Sequence, residues 1–188
     1  NTRSHRLFVA STLAALAIAS VASAQISSSK KLADWPRVAL SNQTTINGYQ
    51  IGRYPDQEGR SDSYATPHAL IEVAFGHQHT KISPHFTIGP FICKQESEWP
   101  KYLVLSQGLI DLLEEIVAKL NMHGVAVPTL EVMSGYRTPA YNAELGNVAH
   151  SRHIYGDAAD VFVDLDGDGV MDDLNRDGDI DPVSYTHL

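Results

Sequence analysis

The sequence holds a single cysteine, Cys93, among 188 residues. A lone thiol has no partner within the chain, so a disulfide framework is excluded, as is a four-cysteine zinc site. Any metal chemistry must draw on histidine and carboxylate. Basic charge is also scarce: 14 Lys and Arg stand against 22 Asp and Glu, for a formal net charge of -8. Most of the imbalance is local, because Asp164 to Asp181 holds eight aspartates against one arginine. The rest is near neutral and leaves no basic face for phosphates, which argues against a nucleic-acid partner. Two catalytic signatures are missing as well, the H-E-x-x-H helix and the G-x-S-x-G elbow. What is present, 43% hydrophobic and 19% charged residues, is ordinary globular composition. It suffices for one domain with its own core and sets aside disordered and collagen-like classes.

The two ends read differently from the middle. Residues 1–24 carry Arg3 and Arg6, an apolar stretch from Leu7 to about Val21, and the small residues Ala22-Ser23-Ala24 before Gln25. That is the three-part pattern of a secretory signal, so export to a periplasm or the extracellular space is expected, without a membrane anchor after cleavage. Residues 25–48 are polar and read as a flexible lead-in. Residues 183–188 (Val-Ser-Tyr-Thr-His-Leu) follow an Asp-rich loop with no cap or periodicity and read as a non-native tail, which removes His187 from functional reasoning.

Between them, residues 49–182 read as one α+β domain, a small antiparallel sheet with flanking helices. Ile71, Val73 and Phe75 alternate as one strand face would. A helix is predicted from about Ser106 to Asn121, with Leu109, Leu112, Leu113, Ile116, Val117 and Leu120 on its apolar face. A strand over Leu130 to Met133 is followed by the turn Ser134-Gly135. A short helix then opens with Thr138 as N-cap and Pro139 at its first position, and closes near Gly146. Ala158 to Val163 reads as a buried strand.

The stretch Ser151-Arg152-His153-Ile154-Tyr155-Gly156-Asp157-Ala158-Ala159-Asp160 carries the chemistry. A reversal at Gly156 returns Asp160 to the imidazole side of His153, which suits two ligands of one metal ion. Zinc takes both donor types and, in a catalytic site, keeps a position for an activated water. A plain hydrogen bond between the two side chains fits the spacing equally, and a Ser151, His153, Asp160 triad is a third reading.

The pattern S-x-H-x-x-G-x-A-x-D, matched by Ser151, His153, Gly156, Ala158 and Asp160, resembles the signature of zinc D-alanyl-D-alanine carboxypeptidases and related peptidoglycan peptidases. Met133-Ser134-Gly135-Tyr136-Arg137-Thr138-Pro139 is similar to that family's S-G-Y-R element, and weaker similarity reaches back through Ser83-Pro84-His85-Phe86, so that it covers roughly residues 82–175. The resemblance implies a hedgehog/DD-peptidase-like fold, zinc on His153 and Asp160, Arg137 as the residue that stabilises the substrate carbonyl, and Ser151 and Tyr136 near the substrate. The implied substrates are peptidoglycan peptides, and the implied actor is a monomer. It also implies a second histidine ligand and a general base on a strand after Asp160, which these residues do not include, so they are expected to be inactive without it. His150 and the pair His77-x-His79 are the other histidines considered as ligands. A non-catalytic cell-wall-binding or calcium-binding module on the same fold is the alternative function.

Finally, Asp164–Asp172 is repeated directly in Asp173–Asp181. Carboxylates at alternate positions followed by glycine match the first half of a calcium loop, although Asn175 stands where a bidentate Glu would complete it. Asp164, Asp166, Asp168, Asp173, Asn175 and Asp177 are the candidate calcium ligands. A solvated acidic loop is the plainer reading.

Overall fold

The computed structural model describes residues 29–174 and 177–180. The signal-type segment 1–24, the tail 183–188 and Asn175 lie outside the described residues. The centre is an antiparallel sheet ordered β1 (Arg37–Ala39), β4 (Ala69–Val73), β5 (Lys101–Leu103), with Val38 opposite Leu70 and Ile71 opposite Leu103. Strand alternation sends successive side chains to opposite faces, and here each face has its own core. Ile71, Val73 and Leu103 pack with the helix α1 (Gln107–Met122), while Leu70 and Tyr102 join Tyr49, Ile51, Tyr54, Ile154 and Tyr155. The sheet is therefore covered on both sides, and the second core lies directly under the turn that carries His153.

Helix α1 begins where expected: the Ser106 hydroxyl accepts from the Leu109 amide at 3.1 Å, an N-cap that satisfies one orphan donor. Its buried residues are Leu109, Ile110, Leu113 and Val117, whereas Leu112 is 54% exposed. The apolar face is thus rotated toward Ile110, because the sheet rather than the count of leucines selects the side that is covered. Phe75, read as part of the β4 face, lies past the strand end and is exposed.

The lead-in is a second difference. From Lys30 onward it is packed: the Lys30 amide donates to the Lys81 carbonyl at 2.8 Å, β1 pairs with β4, and Leu32 and Trp35 are buried. Three isolated apolar residues, Leu32, Trp35 and Val38, dock this segment although its average composition is polar. A hairpin of β2 (Thr45–Ile46) and β3 (Tyr49–Gln50) follows, closed by Asn47-Gly48 with φ of 50° and 81°, the dipeptide favoured in tight hairpin turns.

The second sheet pairs β6 (Glu131–Ser134) with β7 (Asp160–Phe162) antiparallel, and α2 (Pro139–Glu144) lies between them in sequence. Thr138 caps α2 by accepting from the Tyr141 amide at 3.1 Å, as its sequence implies. The expected α+β class with small antiparallel sheets is what forms. β7 is half-buried along its length rather than buried. Among the described residues no helix is long and apolar enough to cross a membrane.

Candidate metal centre and active site

The site is built where β6, β7 and one short turn meet. The register of β6 and β7 shifts between Val132 and Ser134, so that Ser134 lies opposite Asp160. An irregularity of this kind re-aims side chains beside functional sites, and here it turns Met133 outward, 54% exposed. Beyond Ser134 the chain passes so close to the turn at Phe91 that a Cβ on Gly135 would sit 2.6 Å from Phe91 Cα. Only glycine fits, and the close approach leaves the Gly135 carbonyl aimed at the imidazole of His153.

His153 sits in a 3-10 turn, Arg152–Tyr155, anchored by the buried Ile154 and Tyr155 and ended by Gly156 at φ 72°. Turn and strand are bonded in both directions. His153 Nδ1 donates to the Gly135 carbonyl at 2.7 Å, and the Arg137 amide donates to the His153 carbonyl at 3.2 Å. Because a carbonyl can only accept, the ring proton belongs on Nδ1. In the neutral ring the Nε2 lone pair is then free, the arrangement used to present a histidine to a metal.

That lone pair faces Asp160, whose Oδ1 lies 3.5 Å from Nε2. With Nε2 unprotonated the two are both acceptors, an arrangement that a shared cation would satisfy. The other carboxylate oxygen, Oδ2, accepts from Arg137 Nη2 at 2.7 Å, and Arg137 Nε donates to Ser134 Oγ at 3.0 Å. The Arg137 side chain is 15% exposed and that of Asp160 42%, so the pair forms the wall of an open cleft of about 240 Å3 that Tyr141 and Lys94 also line. An imidazole nitrogen plus a carboxylate oxygen fits zinc by donor chemistry. Among the described residues these two are the ligands the site offers.

Other expected residues fall elsewhere. Ser151 is half-buried and precedes the turn without a side-chain capping bond. Tyr136 is 1% exposed and shares a 3.0 Å hydrogen bond with the Tyr54 hydroxyl, so it lines the cleft from its floor. His150 lies against Tyr64 and within 3.3 Å of the Tyr155 hydroxyl. His77 and His79 stand on a 3-10 turn, not a strand face. His85 pairs through Nδ1 with Glu114 at 2.5 Å.

Two supports were not legible as such. Ser134 and the Gly135 carbonyl hold the arginine and the imidazole, and their signal was the S-G-Y-R element itself. Arg152 forms a two-pronged ion pair with Asp157 and lies 4.5 Å from the Tyr64 ring centre, steadying the turn from outside.

Downstream of β7 the acidic repeat is a repeat in structure too. Asp164 Oδ2 accepts from the Gly169 amide at 2.8 Å, and nine residues later Asp173 Oδ2 accepts from the Gly178 amide at 2.8 Å. Ligand oxygens of Asp164, Asp166 and Asp168 lie within 4.8 Å of one another. The Gly169 amide, followed by those of Gly167 and Asp168, holds the Asp164 carboxyl below its ordinary value. A depressed folded-state value stabilises the loop above the ordinary aspartate range and ceases to do so as pH falls through the lowered value. The Gly169 amide resonance is therefore expected to titrate with a midpoint below that of an ordinary aspartate. A midpoint at or above the ordinary aspartate value would contradict the geometry.

Residues 84–176 match the family model described as Peptidase M15, a span that includes α1, the S-G-Y-R element, His153 and Asp160. No curated protein matches the chain, and no solved structure does. M15 peptidases are typically zinc-dependent, and the α+β architecture with small antiparallel sheets is consistent with their fold.

Proposed function

We propose that this chain, whose residues 84–176 match the Peptidase M15 family model, is an exported zinc peptidase. Its proposed substrates are D-amino-acid peptide bonds of peptidoglycan stem peptides, cleaved in the manner of a D-Ala-D-Ala carboxypeptidase. The observation that carries the reading is the bare Nε2 of His153 held 3.5 Å from Asp160 Oδ1, with its tautomer set by the Gly135 carbonyl. His153 and Asp160 would hold the ion, together with a further ligand. When bound, zinc supplies Lewis acidity and a water that ionises near neutral pH. The chain's own residues do the rest. The Gly135 carbonyl keeps the imidazole from turning, and Arg137 keeps the Asp160 carboxylate aimed at Nε2. With Nε on Ser134 and Nη2 on Asp160, Arg137 retains Nη1, a fixed cationic donor for the charge that grows on the substrate carbonyl oxygen.

The test is release of D-alanine by the zinc-loaded protein that includes the further ligand, from an acetylated peptide ending in D-Ala-D-Ala, with the L-Ala-L-Ala peptide as control. Release from the first alone, abolished by a zinc chelator and restored by zinc, is the expected result. No release by the metal-loaded protein would refute the reading and favour a cell-wall-binding module on the same fold.

The proposed role of the acidic repeat is weak calcium binding that stiffens the exit from β7, with Asp164, Asp166 and Asp168 as first ligands. A calcium-selective chelator is then expected to lower activity while zinc content, measured by mass spectrometry, stays constant. Indifference to calcium would make the repeat a solvated acidic loop.

A further inference from the structure

Residues 91–95 form a strap beside the cleft and alternate in what they face. Ile92 and Lys94 line the cleft of Arg137 and Asp160, whereas Cys93 and Gln95 reach the segment that carries Arg137. The strap holds the chain neighbours of that arginine on both sides. The Tyr136 amide donates to the Phe91 carbonyl at 2.9 Å. The Thr138 amide donates to Cys93 Sγ at 3.4 Å, and the Thr138 hydroxyl donates to Gln95 Oε1 at 2.6 Å. With the Arg137 amide on the His153 carbonyl, three successive residues are fixed to segments far away in the chain.

The direction of each bond in this group follows from its partners. The Tyr141 amide can only donate, so Thr138 Oγ1 accepts from it at 3.1 Å and sends its own proton to Gln95. The Gln50 carbonyl can only accept, so Gln95 Nε2 faces it at 2.9 Å and leaves Oε1 for Thr138. One side chain thus ties together the strap, β3 and the N-cap of α2. Thr138 is fully buried, and a hydroxyl proton released there has no water to take the place of Gln95.

The two ends of Arg137 are therefore set by different groups. Ser134 and Asp160 hold the guanidinium, and the strap holds the backbone from which it projects. The same contact places a second part of the cleft, because Thr138 caps α2 and Tyr141 and Leu145 at its end line the cleft beside Arg137. Neither Gln95 nor Thr138 lines the cleft, so an effect of either on the reaction must pass through the residues they hold.

We propose that Gln95 and Thr138 are positioning residues for Arg137: the Gln95 amide, oriented by the Gln50 carbonyl, holds the Thr138 hydroxyl and through it the backbone of the arginine. A donor that meets charge grown on the substrate carbonyl acts in the transition state, so displacing it lowers kcat and leaves KM in place. The inference rests on the peptidase reading and adds to it the residues that aim its cationic donor.

The test compares Gln95→Leu and Gln95→Glu with the parent, each as the zinc-loaded protein that includes the further ligand, on the acetylated D-Ala-D-Ala peptide. Leucine removes both links, whereas glutamate keeps an acceptor for Thr138 and loses only the solvent-exposed bond to Gln50. Gln95→Leu is expected to lower kcat about tenfold with KM within about twofold of the parent, the scale of a displaced catalytic group. Zinc content should not change, and Gln95→Glu should restore most of kcat. An unchanged kcat in Gln95→Leu, a rise in KM alone, or a Gln95→Glu variant as slow as Gln95→Leu would overturn the proposal. A second readout does not depend on hydrolysis. The Arg137 Nε–H, bonded to Ser134 Oγ and assigned by its loss from the NMR spectrum of Arg137→Lys, should exchange with water about tenfold faster in Gln95→Leu. Unchanged exchange overturns the proposal. If the parent does not hydrolyse the peptide, the peptidase reading has failed separately, and the exchange rate decides the role of Gln95 alone. Should Gln95→Leu not fold, Thr138→Val removes the other half of the same bond and is read by the same exchange rate, with the same two outcomes.

Discussion

Replacing His153 with alanine is expected to abolish zinc retention and hydrolysis together while the fold persists. The side chain is 11% exposed and makes one structural hydrogen bond, from Nδ1 to the Gly135 carbonyl. Its removal costs stability on the order of 1 kcal/mol. The anchors of the turn, Ile154 and Tyr155, stay buried in the tyrosine-rich core, so the circular dichroism spectrum should be that of the parent. The chemistry has no such reserve, because one of the two donors the described residues supply is gone and Asp160 alone does not retain the ion. Hydrolysis of a D-Ala-D-Ala peptide should fall by about 10²- to 10³-fold or more, the loss that accompanies removal of even one preorganised electrostatic contact. Zinc measured after gel filtration should fall to background. Full metal content with activity intact would remove His153 from the site and with it the proposed mechanism.

Gly156→Ala is expected to be the most disruptive small substitution near the site. Gly156 has φ 72°, a left-handed conformation that costs an L-residue about 1–2 kcal/mol. Space forbids the methyl as well. A Cβ there would lie within 3 Å of the Val104 carbonyl and 2.8 Å from the Leu105 nitrogen, all of it backbone. Relief requires the turn to move away from the segment between β5 and α1, which breaks the 2.8 Å bond from the Ser106 amide to the Gly156 carbonyl and disturbs the cap of α1. The sum is expected to exceed about 3 kcal/mol, in the range reserved for strain combined with overpacking. Chemical denaturation should show it, and the movement of His153 should lower zinc affinity in the same variant. A loss below about 1 kcal/mol would mean that the close approach is not maintained in solution.

How much of this was readable in advance can be judged from particular residues. The caps Ser106 and Thr138, the stop near Gly146 and the order of β6 before α2 are local features, and each was legible because capping chemistry acts over three or four residues. His153 and Asp160 were legible as a pair because seven residues with a glycine between them make a single turn. Leu112 and Phe75 were misread because which face a helix buries, and where a strand stops, depends on what packs against it. The lead-in was misread because Leu32, Trp35 and Val38 find partners far along the chain, and a composition average hides three well-placed apolar residues.

The sequence by itself determined the donor types, the local caps and the exclusion of a disulfide framework and a four-cysteine zinc site, since these follow from which residues are present and from contacts within a few positions. Only the tertiary structure decided which imidazole nitrogen is bare, that Arg137 grips Asp160, that Tyr136 turns into the core, and that Gln95 meets Thr138. Those facts depend on the bulge between Val132 and Ser134 and on backbones from distant segments meeting at Gly135 and Gly156. Such meetings are set by packing of the whole sheet, not by neighbours in the chain.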